Sequence, residues 1–135
     1  MASRTRYMII GAGFALAANA SGQSGLGVSA RIMLEGWYVA ADGLMHDSLR
    51  KTHLLPYTEP YTELGYVHIG EGGDEQTTDA VLNAPGNDAV VDWVVLELRD
   101  AMANGFRVAT RSALVQRDGD VVDIDGATGV EFDVP

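Results

Sequence analysis

Cysteine is absent from the chain. No disulfide framework, thiolate metal site or lipid-modified cysteine can therefore hold or anchor the protein. Basic residues are scarce: nine Lys and Arg stand against 19 Asp and Glu, a formal net charge of −10. Such a surface repels phosphate backbones and anionic membrane faces, which argues against nucleic acid as a partner. Beyond the N-terminus there is no long apolar run, so no integral membrane span is expected. Repeats and low-complexity tracts are missing too. What remains is a 135-residue chain, 47% hydrophobic, which suits one domain with its own packed core.

The N-terminus carries the most specific signal. Arg4 and Arg6 form a basic start, Tyr7 to Ala18 carries no charge, and Ala18-Asn19-Ala20 has the small-x-small pattern of a cleavage site. This three-part order predicts a secretory signal peptide over residues 1–20; the alternative is a buried first strand or helix. Cleavage would remove two of the nine bases and none of the acids, taking the formal charge from −10 to −12. Residues 21–27, rich in glycine and serine, read as a flexible connector, and 28–135 as the folded domain.

Within that domain the pattern predicts strands. Val28–Glu35 alternates loosely, Tyr66–Ile69 is short, and Ala89–Leu98 is long and β-branched. Read as a strand, 107–117 places Arg107, Arg111 and Arg117 on one face and Val108, Thr110, Ser112 and Leu114 on the other. Asp118-Gly119 makes a turn, Asp120–Asp125 runs back, and Val130–Val134 follows. The expected fold is all-β, an antiparallel sandwich with at most one short helix near residues 44–51, and with room for missing C-terminal strands.

Candidate chemistry is sparse. Asp118, Asp120, Asp123 and Asp125 crowd a predicted hairpin and could supply oxygen ligands to calcium, although their spacing is not that of an EF-hand. The competing reading pairs them with Arg107, Arg111 or Arg117 on the adjacent strand. Trp37, Tyr38, Tyr57 and Tyr61, with Tyr66, form either a stacking platform for glycan or protein, or a cap on the core. His46, His53 and His68 lack metal-ligand spacing. Ser112 lacks the flanking glycines of a nucleophile elbow, and Glu59, Glu63 and Glu71 read as surface loop residues. Gly11-Ala-Gly13 mimics the opening of a dinucleotide fingerprint, with Glu35 near the ribose-binding offset. The third glycine is missing and the stretch after it would break the required helix. No catalytic residue or cofactor other than calcium is expected.

Several segments carry a resemblance: Leu34–Tyr38, Gly43–Arg50, Leu54–Pro56, Glu59–Thr62, Ala89–Asp100 and Ala109–Asp123. In these, the chain resembles a recurrent uncharacterised domain of large secreted proteins of Bacteroidetes and related environmental bacteria, loosely described as adhesin- or hemagglutinin-like. The resemblance implies export, a cell-surface or extracellular setting and no assigned catalytic residues. Such domains usually continue with a further strand pair, whereas this chain stops at Pro135. It is then either a fragment or a domain completed by a strand from another molecule. The expectation is thus a non-catalytic structural or adhesive module whose partners are proteins or glycans at the cell surface, including copies of itself. A calcium- or carbohydrate-binding module is the second reading and a dinucleotide-binding enzyme fragment the third.

Overall fold

The computed structural model describes residues 7–9, 25–102 and 105–134. Along the chain run β1 (Tyr7–Ile9), β2 (Gly25–Val28), β3 (Ala30–Arg31), β4 (Tyr38–Val39) and β5 (Leu44–Met45). After one-turn helices α1 (Ser48–Lys51) and α2 (Asp79–Leu82) come β6 (Val90–Asp100), β7 (Arg107–Gln116), β8 (Asp120–Val122) and β9 (Val130–Asp133). The fold is all-β, with antiparallel sheets curled into a half-barrel. Among the described residues two short helices form, where the sequence pattern points to at most one. The additional one is α2, started by the Thr78 hydroxyl accepting from the Val81 amide.

The main sheet has the order β1-β6-β7-β8-β3, and β2 pairs separately with β9. The β6–β7 hairpin is its spine. Its register pairs Trp93 with Leu114, Val94 with Ala113 and Leu98 with Ala109. A register shift between Val90 and Asp92 inserts one extra residue. Val90 and Trp93 consequently share one face, and Val91 shares the other with Leu96 and Leu98. Both faces are covered, each by its own apolar cluster.

One cluster joins Leu96, Leu98, Ala109, Ala113, Val115 and Val121 to Val28, Val130 and Phe132 of the β2–β9 ribbon. The other joins Val90, Trp93, Leu114 and Val122 to Leu55 and Leu82 from the helix and loop layer. A fully buried aromatic such as Phe132, 1% exposed, contributes about 2–3 kcal/mol through lost apolar area. The Asp118-Gly119 turn falls where the sequence predicts it. Gly119 has φ +94°, and a Cβ there would sit 2.6 Å from the Ile32 carbonyl oxygen.

Four expectations on the elements are corrected, the first being the short strand expected over Tyr66–Ile69, which does not form. The strand expected over Val28–Glu35 is split, because the chain leaves the β9 ribbon at Val28 and joins β8 at Ala30. Gly25–Gly27, inside the expected connector, already belong to β2. The strand expected over Asp120–Asp125 ends at Val122, because the Asp123 amide donates to the Thr128 carbonyl and the chain turns. Tyr7–Ile9, within the expected signal peptide, lies antiparallel to Leu98–Asp100 of β6. The rest of residues 1–20 lies outside the described residues, as does Gly11-Ala-Gly13.

Candidate functional site

β8 reaches only as far as Leu114 and Val115 of β7. The upstream part of that β7 edge would otherwise present bare N–H groups. The 57–77 segment covers it. The Thr110 amide donates to the Ile69 carbonyl at 2.8 Å. The Ser112 amide donates to the Glu75 carboxylate, also at 2.8 Å. Segments 57–59 and 75–77 hold each other through Glu59 N–H to the Glu75 carbonyl and Thr77 N–H to the Tyr57 carbonyl. The glycines of Gly70-Glu-Gly-Gly make the approach feasible. A Cβ on Gly72 would lie 2.3 Å from the Thr110 carbonyl oxygen and 2.8 Å from His68 Nδ1.

Beneath this loop sits the densest set of chemistry-bearing groups. The Thr110 hydroxyl is 3.0 Å from His68 Nδ1, and His68 Nε2 is 3.5 Å from a Glu59 carboxylate oxygen. The same Glu59 oxygen is 3.4 Å from the Ser112 hydroxyl, which donates to it. Hydroxyl, imidazole and carboxylate in a row are the ingredients of a nucleophilic triad. The two hydroxyls lack access. Thr110 and Ser112 are 0% exposed. The Thr110 hydroxyl also accepts from the Ile69 amide at 2.9 Å, so its lone pairs serve the backbone. Glu59 accepts from the amides of Tyr61 and Thr62. Burial pushes its carboxyl up, but the bonds from Thr62 and Tyr61 and the charge of His68 outweigh it and leave the group below the usual glutamate range. Glu75 accepts from the Gly73 amide and faces Arg111 Nε at 3.3 Å. The cluster works as a polar clasp fixing the loop to the sheet edge.

The aspartates expected around a calcium ion are each engaged by a different partner. Asp118 accepts from the Asp120 amide, Asp120 pairs with Arg31 at 2.7 Å, and Asp123 pairs with Arg111 at 3.2 Å. Asp125 accepts from the amides of Ala127 and Thr128, and these bonds lower its carboxyl. Asp123 and Asp125 do not share a strand face, because β8 has already ended. Among the described residues no group of three or more His, Asp or Glu is arranged to hold a metal ion. Of the three arginines expected on one face, Arg111 takes an aspartate of this hairpin. Arg107 reaches Glu97 and Tyr66, and Arg117 donates to the Met45 carbonyl.

Of the four aromatics, Trp37 and Tyr61 pack against opposite clusters, and Tyr38 and Tyr57 are exposed. Trp37 packs against the β2–β9 side and meets the His46 ring at 4.6 Å, with Tyr38 exposed beside it. Tyr61 packs on the opposite face, where its hydroxyl donates to the Trp93 carbonyl and burial pushes its pKa up to about 12. Tyr57 is 52% exposed and donates to Asp79. It borders an open recess of about 570 Å³ that also takes in Pro56, Glu59, Pro60, Glu63 and Gly73. Glu35 sits exposed in a turn, and every strand pairing among the described residues is antiparallel, unlike the βαβ unit a dinucleotide site needs. No helix among the described residues is long and apolar enough to cross a membrane.

Sequence reasoning passed over the clasp. Glu75 and Thr110 carry no motif, Glu59 reads as a surface loop residue, and His68 reads as part of a short strand without metal-ligand spacing. The one available signal was the glycine run between His68 and Glu75, which marks close backbone approach. Fold and site together define an antiparallel all-β domain with a loop clasped to a sheet edge. Comparison with known protein families, with curated proteins and with solved structures finds no match.

Proposed function

We propose that the chain is a non-catalytic adhesive module of an exported protein, presenting its 54–67 segment to a partner outside the cell. The supporting observation is the clasp. Its Thr110 hydroxyl and its Glu59 and Glu75 carboxylates are buried and accept from backbone amides, and the Ser112 hydroxyl and His68 ring bond within the cluster, an arrangement that suits fixing a loop better than meeting a substrate. The loop they fix carries Tyr57, Leu64 and Val67, each between 52% and 78% exposed, and Leu54 just before it is 68% exposed. Apolar side chains held rigidly in water are what an interface uses. Export rests on the order of charge and apolarity in residues 1–20, and the adhesive setting on the resemblance of the segments between Leu34 and Asp123.

The test has two arms. The full chain is expressed with its N-terminus intact, and the secreted product is sequenced from its first residue; a start at Ser21 supports export, whereas retention of β1 in the mature protein overturns it. Secreted protein is then immobilised and challenged with glycan and cell-surface protein arrays. Saturable binding weakened by Leu64→Ser with Val67→Ser, but kept by Thr110→Ser, supports an adhesive surface. Hydrolysis of any ester or glycoside that disappears with Glu59→Gln sinks the non-catalytic reading.

A further inference from the structure

Between Lys51 and Arg99 the chain has no Lys or Arg, yet it carries nine Asp and Glu. The recess beside Tyr57 lies in this stretch. Its walls are an exposed aromatic ring and two prolines, and it takes in two glutamates, Glu59 and Glu63. Glu63 is exposed, so its carboxylate is available at the rim. Glu59 lies buried behind it with its hydrogen bonds already made inside the clasp. An apolar slot with a negative rim, in a stretch of chain without Lys or Arg, complements a long side chain with an aliphatic stem and a cationic head.

We propose that this recess takes an arginine or lysine side chain from a basic segment of a protein partner, its stem against Tyr57 and Pro60 and its cation at Glu63. Arginine fits better than lysine, because its planar guanidinium stacks on an aromatic face and forks onto a carboxylate. This deepens the adhesive reading and rests on it: the partner of that surface is a basic protein rather than a glycan.

The full chain, labelled with nitrogen-15, is titrated with a hexa-arginine peptide, a hexa-lysine peptide and a neutral Gly-Ser peptide. Amide shifts confined to residues 56–63 and 73, saturating, and stronger for arginine than lysine, are expected. Tyr57→Ala and Glu63→Gln should each weaken binding by about tenfold. Both sites are exposed, and unchanged melting curves check that the variants fold. Glu131→Gln, at an exposed position of β9, should leave binding unchanged, because it removes one charge far along the chain from the recess. Shifts spread over the whole acidic surface, or an equal loss with Glu131→Gln, overturn the proposal as unspecific attraction by a chain of charge −10. Absence of arginine-peptide binding in a chain that still binds glycans or neutral proteins overturns it and leaves the adhesive reading standing. Absence of all binding to both the peptides and the arrays counts against both.

Discussion

His68 turns Nε2 toward a Glu59 carboxylate oxygen at 3.5 Å, and the two side chains are 6% and 1% exposed. That nitrogen makes no hydrogen bond. The other ring nitrogen meets the Thr110 hydroxyl, which in turn accepts from the Ile69 amide. The imidazole therefore links a buried carboxylate to a backbone amide through one hydroxyl. Thr110 is the member on which both the ring and the loop depend.

Thr110→Val keeps the shape and removes the hydroxyl. The Ile69 amide then loses one of the bonds that tie the loop to β7, and His68 Nδ1 loses its partner. A buried polar group left without a partner costs about 1–3 kcal/mol, so a destabilisation of about 2–4 kcal/mol is expected in urea or thermal unfolding. Thr110→Ser retains the hydroxyl and should lose less than half as much. Equal losses for the two variants would show that packing at residue 110, and not the hydroxyl, holds the loop.

Gly72 tests the same clasp from the loop side. An alanine Cβ would meet the Thr110 carbonyl at 2.3 Å, and that oxygen belongs to a central strand that cannot step aside. Gly72→Ala should cost about 2–4 kcal/mol and raise hydrogen exchange at the Thr110 and Ser112 amides. Gly36, where a Cβ meets nothing within 4 Å, is the control, and alanine there should change stability by less than about 0.5 kcal/mol. A neutral Gly72→Ala would mean that the loop lifts away at little cost.

The spine of this fold is legible in the sequence because it is encoded locally. Valine-rich 89–98, the alternation of 107–117 and the Asp118-Gly119 turn each state their conformation within a few residues, and β6, β7 and the turn from β7 into β8 form there. The clasp is not legible, since its parts are far apart. His68 and Thr110 are separated by 42 residues and Ser112 and Glu59 by 53, and only the folded sheet brings them within reach. The β8 boundary was misread for a local reason. Asp120–Asp125 alternates like a strand, but the Asp125 carboxylate turns back on the Ala127 and Thr128 amides and ends the ladder.

Acid should weaken the protein in a defined window. Asp47 is 2% exposed and ion-paired with Arg50 at 2.5 Å and Lys51 at 2.9 Å. Burial raises its carboxyl, but Lys51 and Arg50 overcome that and hold it at about 2, against an ordinary 3.8. Glu59 is shifted in the same direction. A carboxylate with a depressed folded pKa contributes stability that is present above its unfolded pKa and lost as pH falls through the folded one. For Asp47 the loss is about 2 kcal/mol, spread from about pH 4 down to about pH 2. Asp47→Asn should flatten the stability curve over that range while lowering the plateau at neutral pH. An unchanged acid limb in the variant would assign the transition to other carboxylates.

Calcium is the last test, because the four hairpin aspartates are already occupied in four different ways. Binding one ion would require Asp120 to leave Arg31, Asp123 to leave Arg111 and Asp125 to release two backbone amides. Millimolar calcium should therefore shift the melting temperature no more than magnesium at matched ionic strength. Asp120→Ala should cost less than about 1 kcal/mol, since both members of its pair are largely solvated. Asp125→Ala should cost about 1 kcal/mol through the lost turn bonds. A calcium-specific rise in melting temperature, abolished by Asp120→Ala with Asp123→Ala, would show that the hairpin rebuilds itself around the cation and trades its arginine partners for an ion.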